Sequence, residues 1–185
     1  MSTPGALYTI SPSADSTIAI EVFKTGLLHR KKHIFFFERF KGELCYFADR
    51  PEASSINFTI DSGSIVCRDQ WLKAKKQQYL AQYARDKVLD VSRHPEIRFA
   101  STRISSKPLR GYVVEGELKI RGTGRIVKVN AVLTPRRNDS FQVDGDATVC
   151  LTDFGIRPPS ALLGLIGTKN EGLVRLLVWA LPAPA

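Results

Sequence analysis

Phe141-Gln142-Val143-Asp144-Gly145-Asp146-Ala147-Thr148-Val149-Cys150-Leu151-Thr152 alternates apolar and polar residues along its whole length. Side chains on a strand point to opposite faces in turn, so this stretch reads as a half-buried β-strand. The same period recurs on both sides of it. Ile18, Ile20 and Val22 alternate with Ala19, Glu21 and Phe23. Phe36, Phe40, Leu44 and Tyr46 share one parity, with Gly42 between them and Glu38 interrupting the face. Ile56, Phe58 and Ile60 form another set, as do Tyr112, Val114, Gly116, Leu118 and Ile120.

The expected strands span 7–10, 16–24, 34–47, 55–66, 96–104, 111–121, 125–134, 140–152 and 172–181. Arg121-Gly122-Thr123-Gly124 offers positive-φ residues for a tight hairpin. Pro135-Arg136-Arg137-Asn138-Asp139 and Asp49-Arg50-Pro51-Glu52 are further turns. Hairpin spacing argues for antiparallel pairing. Residues 69–91 break the pattern. They lack Gly and Pro, and Leu72, Leu80, Tyr83, Ala84 and Val88 fall on a loose helical stripe. Asp69 is the expected N-cap, and His94-Pro95 lies past the helix end. Many antiparallel strands with one helical insertion predict a mostly β fold, a barrel or a sandwich. Closure removes exposed edges, and an eight-stranded barrel either fills with side chains or holds one small ligand.

Composition narrows the class. The 185 residues suit a single domain, with an ordered core expected over about 7–181. With 43% apolar and 24% charged residues, disorder, collagen-like repeats and coiled coil are excluded. A net charge of +9 leaves nucleic acid, acidic headgroups and anionic ligands as partner classes. Three cysteines, Cys45, Cys67 and Cys150, make no disulfide framework and favour a reducing compartment. Met1-Ser2-Thr3-Pro4-Gly5 lacks a charged start and an apolar run, so a cytoplasmic protein is expected. On that expectation the sequons at Asn57 and Asn138 carry no glycan.

Motifs for chemistry are weak. His29 and His33 are four apart, but Arg30, Lys31 and Lys32 lie between them and repel a metal. Asp153-Phe154-Gly155 has no accompanying kinase loops. Gly164-Leu165-Ile166-Gly167-Thr168-Lys169 has the wrong order for a phosphate loop. Cys67 beside Arg68 lacks a base. No enzyme, metal or cofactor is expected. Basic residues cluster at Lys24, residues 29–32, Arg39 and Lys41, and again from Lys73 to Arg93. Phe35, Phe36, Phe37 and Phe40 lie beside the first cluster. Nucleic-acid modules mix charge and aromatics in this way, yet no such module is recognisable and a solvated basic shell is preferred.

Several motifs in chain order are similar to one family. Tyr8-Thr9-Ile10-Ser11-Pro12 followed by Ser16-Thr17-Ile18 resembles the first-strand signature of the YceI-like family. Phe36-Phe37-Glu38-Arg39-Phe40-Lys41-Gly42 and Ser62-Gly63-Ser64-Ile65 resemble its next segments. Arg93-His94-Pro95-Glu96-Ile97-Arg98-Phe99-Ala100-Ser101, Gly116-Glu117-Leu118-Lys119-Ile120-Arg121-Gly122 and Asp153-Phe154-Gly155-Ile156 follow. The resemblance covers about residues 8–180. It implies a single lipocalin-like antiparallel barrel, a long apolar cavity and a polyisoprenoid or other long-chain amphiphile as ligand. The missing leader, the basic residues 29–33, the insertion at 71–85 and the loop at 158–170 look like a cytoplasmic subgroup. Family members often pair, so a homodimer through Ala161-Leu162-Leu163-Gly164-Leu165-Ile166 is a further expectation.

The expected function is therefore binding or carriage of such a lipid without chemistry. Inward parity nominates Ile18, Ile20, Val22, Phe36, Phe40 and Leu44 as cavity lining. Ile56, Phe58, Ile97, Phe99, Val114 and Leu118 extend it, and Val127, Val129, Phe141 and Val143 complete it. Each competes with plain core packing. Gly42, Gly116, Gly145 and Ala147 are expected to leave room for the ligand. The residues at 30–32 are placed to meet a lipid head or a membrane surface. The alternatives are a nucleic-acid-binding protein and a stress-related interaction protein with the barrel as scaffold.

Overall fold

The computed structural model describes residues 5–109, 111–160 and 165–184. Its strands are β1 (Ala6–Ile10), β2 (Thr17–Gly26), β3 (Lys32–Phe37), β4 (Phe40–Tyr46), β5 (Ser55–Asp61) and β6 (Ile65–Cys67). They continue with β7 (Glu96–Lys107), β8 (Gly111–Ile120), β9 (Thr123–Pro135), β10 (Phe141–Cys150) and β11 (Ile166–Pro182). All pairings are antiparallel, in the order β1-β4-β5-β7-β8-β9-β10-β11, and β1 pairs with β11 to close the ring. Eight strands thus form the expected barrel, and no sheet edge remains in that ring.

β2, β3 and β6 are a second storey on the same wall. β11 is long enough to pair with β1 at its end and β2 at its start. Three chain segments each break at a common level: β1 from β2, β3 from β4, and β5 from β6. The expected strands at 34–47 and 55–66 are therefore each two strands. Glu38 and Arg39 make the first step, and the turn Ser62–Ser64 makes the second. Asp61 caps that turn by accepting the Gly63 N–H at 2.8 Å.

Turns follow the sequence closely. Arg121 and Gly122 both have positive φ, 51° and 77°, and join β8 to β9 in two residues. That geometry matches the twist of the flanking strands. Asn138 and Asp139, also at positive φ, turn β9 into β10.

The insertion holds α1 (Ala74–Tyr83), which runs on as a π-type segment Ala84–Leu89. Asp69 is not its N-cap. The helix starts at Ala74 without a side-chain cap, while Asp69 is buried and accepts the Ile34 N–H at 2.7 Å. Its carboxylate also accepts His33 Nδ1–H at 2.5 Å. Asp69 therefore fastens the insertion to β3. Arg85 adds a second tie, donating to the Ile65 carbonyl of β6 at 2.8 Å.

The wall's outer face carries charge pairs: Lys32 with Glu21, Arg39 with Asp61, Arg68 with Glu38, Arg98 with Glu96, and Lys128 with Glu115. Five of the 27 lysines and arginines are thus paired with carboxylates on the solvent side, and the net charge of +9 is left over. Residues 161–164, the first four of the 161–166 segment expected to support a dimer, lie outside the described residues. No described helix is long and apolar enough to cross a membrane.

Candidate functional site

The barrel's two ends differ. The lower end carries the β7–β8 and β9–β10 turns and is plugged by aromatic rings. Phe141 meets Tyr8 edge-on at 5.3 Å and Tyr46 at 5.4 Å. The Tyr46 and Tyr112 hydroxyls lie 3.1 Å apart, within hydrogen-bond distance. Burial pushes the Tyr8 hydroxyl above its usual range, with the Asp139 carboxylate adding to the effect.

Above that plug the interior opens into a cavity of about 300 Å³. Such a volume is at the lower end for a small-molecule site. Ile18, Ile20 and Val22 of β2 line it, facing Val114 and Leu118 of β8, Val127 and Val129 of β9, and Val143 of β10. Ile56 and Phe58 of β5 and Ile97 and Phe99 of β7 complete the nominated set that reaches it. Leu80, Tyr83, Val88 and Leu89 of the insertion close the upper side. Phe154 and Ile156 come from the turn after β10, where Phe154 is 2% exposed. Gly155 supports that turn at φ 69°, and Arg121 reaches across to its carbonyl at 3.4 Å.

Four nominated residues do not line the cavity. Phe36 points outward: it pairs with Ala19, one step from the inward pair Phe35 and Ile20, and Arg68 lies over its ring at 5.3 Å. The step at Glu38–Arg39 shifts the face between β3 and β4, so parity carried from Phe40 back to Phe36 fails. Phe35 and Phe37 line the cavity instead. Phe40, Leu44 and Phe141 do join the buried core or pack against it. Phe40 stacks on Phe58 at 5.5 Å, and Phe141 belongs to the plug.

The inward glycines act differently from expectation. A β-carbon on Gly42 would lie 2.5 Å from the Phe58 ring, and one on Gly116 2.5 Å from the Phe99 ring. Their space is taken by these two rings, which rest on bare backbone. Room for a guest arises indirectly, because rings seated against glycine stay out of the lumen.

Among the described residues, polar groups meet the cavity at its upper end alone. Apart from Lys24, His33, Thr168 and the Tyr83 hydroxyl, the lining side chains are apolar. Lys24 continues the inward parity of Ile18, Ile20 and Val22, a signal the sequence carried but that its place in a basic cluster masked. Burial lowers its ammonium below the usual lysine range. Thr168 lies opposite Lys24 across the β2–β11 ladder, next to an irregularity between Thr168 and Gly172. His33 pairs with Val22, one inward position from Lys24. Asp69 holds its Nδ1, and Trp71 stacks on its ring at 5.4 Å while donating Nε1–H to the Lys32 carbonyl. The basic residues 30–32 lie by the β2–β3 turn at this rim. Lys31 rests over Trp71 at 5.3 Å, and Lys32 is held by Glu21 on the outer face at 2.7 Å.

The fold and sequence match known proteins. The family model described as YceI-like domain matches residues 8–174. A UPF0312 protein of Pseudomonas savastanoi is 27% identical over 128 residues, 66% of this chain and 63% of that protein. One from Pectobacterium atrosepticum is 29% identical over 127 residues, 65% of this chain and 61% of its own. The match thus spans a little under two thirds of these curated relatives. Among solved structures, Burkholderia cenocepacia BcnA superposes with a TM-score of 0.71 at 18% identity, covering 90% of this chain and 96% of that one. A polyisoprenoid binding domain from Saccharophagus degradans gives 0.63 at 10% identity, covering 95% and 98%.

Proposed function

The chain belongs to the YceI-like domain family, and from that premise we propose that it binds and carries a long-chain isoprenoid or other amphiphilic lipid inside its barrel, without chemistry. The observation that carries this reading is the cavity: an apolar chamber stands where a barrel of this size can pack solid. The Saccharophagus degradans neighbour, a polyisoprenoid binding domain, supports the ligand class. Apolar burial supplies the affinity at about 0.8 kcal/mol per CH₂. Sheltering about ten such groups yields roughly 8 kcal/mol gross, enough for micromolar binding before ordering costs. Loose specificity for chain length follows, since one methylene shifts affinity little.

The three free thiols support service in a reducing compartment, which we propose is the cytoplasm. The rim residues Leu27, 72% exposed, and Leu165, 60% exposed, stand beside basic residues 29–31. That mixture supports loading of the guest from a membrane surface.

Organic extraction of protein purified without detergent, followed by mass spectrometry, is expected to release a stoichiometric amphiphile. Absence of any such compound, together with no uptake of lipid by the purified protein, would overturn the carrier reading.

A further inference from the structure

The carrier reading concerns the tail of the guest. The upper end of the cavity bears on its head, and this inference rests on that reading. Lys24 puts an ammonium at the edge of an apolar chamber. No carboxylate among the described residues pairs with it. The two buried carboxylates are committed elsewhere: Glu21 to Lys32 and Arg175, and Asp69 to His33 and the Ile34 N–H. A half-buried cation without a counter-ion is costly, and the cost falls when an anion enters beside it.

One neighbour of Lys24 is also a donor. Thr168 faces it across one ladder. His33 sits at the diagonal position on the other side, about 7–8 Å away for such pairs. With Nδ1–H donated to Asp69, the neutral imidazole has only an acceptor left at Nε2, so His33 walls the site without donating to an oxyanion. The β2–β11 register shifts between Thr168 and Gly172, so the wall is irregular beside this cluster. Among the described residues the opposite end has no cation lining the cavity: it is the aromatic plug around Phe141.

We propose that the guest is a long apolar chain ending in an oxyanion, a carboxylate or a phosphate, bound head-up with Lys24 as its counter-ion and Thr168 as hydrogen-bond donor. The tail then runs down toward Phe58 and Phe99. A neutral alcohol of the same length fills the same chamber but leaves Lys24 unpaired.

The test uses the full chain stripped of lipid and loaded with Nile red. Displacement is measured with hexadecanoic acid, hexadecyl phosphate and hexadecanol. The acid or the phosphate is expected to bind about tenfold or more tighter than the alcohol, the gain of a charge-assisted hydrogen bond. Whichever of the two leads identifies the head. Lys24→Met is expected to erase that preference, and Thr168→Val to reduce it. Equal binding of all three by the unaltered protein overturns the head assignment and leaves the carrier reading intact. A retained preference in Lys24→Met also overturns it. Failure of Nile red and of every chain to bind overturns the carrier reading, and the head assignment with it. Should Lys24→Met not fold, the ranking by the unaltered protein and by Thr168→Val decides.

Discussion

Single atoms decide much of what this barrel can hold. Gly42 is a cavity determinant although no side chain is present there: its missing β-carbon is the seat of the Phe58 ring. Gly42→Ala is expected to push that ring inward, destabilise the fold by about 1–3 kcal/mol and cut lipid uptake. Urea unfolding and Nile red titration read the two effects separately. Cys67 offers a second test. Burial pushes its thiol from 9.0 up to about 11, with the Asp69 carboxylate opposing ionisation as well. A raised thiol value means that the unfolded chain releases the proton first. The stability tied to Cys67 is therefore complete below pH 9 and is lost as pH rises toward 11, by at most about 2–3 kcal/mol. Cys67→Ala is expected to flatten that limb of the stability–pH curve. Period-two reading found twelve of the lining residues, because inward parity is a local property. It misplaced Phe36 because the step at Glu38–Arg39 changes face without any glycine or proline to announce it.

At the scale of elements, long strands and hairpins were legible and the storeys were not. Alternation marks a strand but carries no sign of which neighbour it pairs with above a break. Hence 34–47 looked continuous, although its halves pair with β2 and with β1. The helix was visible from composition, but its attachment was not. Asp69 looks like a cap by residue type, and tertiary contact gives it another task. Its side chain is 1% exposed, so removing it leaves His33 and the Ile34 N–H without their acceptor. Asp69→Ala is expected to cost about 3 kcal/mol and to speed hydrogen exchange across residues 74–89 more than in the barrel strands. Uniform loss of protection over the whole chain would instead make Asp69 a general core residue.

For the whole molecule, the question is whether the interior is a core or a chamber. Val143 is buried, and its neighbours include the cavity itself. In a packed core, Val143→Trp costs about 1–3 kcal/mol from overpacking. In a chamber the indole enters free volume, so the thermal midpoint is expected to hold while lipid uptake is lost. Calorimetry with the same displacement assay reads both. The wall of this chamber is not uniform. Below the common break, β1, β4 and β5 sit in a closed ring of backbone hydrogen bonds. Above it, among the described residues, β6 pairs with β3 alone, and the insertion is tied to β3 by Asp69 and to β6 by Arg85. A closed ladder can widen only by rupturing several bonds together. A helix leaning on side chains can tilt while every ladder stays whole. The vessel thus has one stave outside the ladder: on the carrier reading, thick or branched guests are expected to be admitted by tilting residues 74–89 rather than by widening the ring.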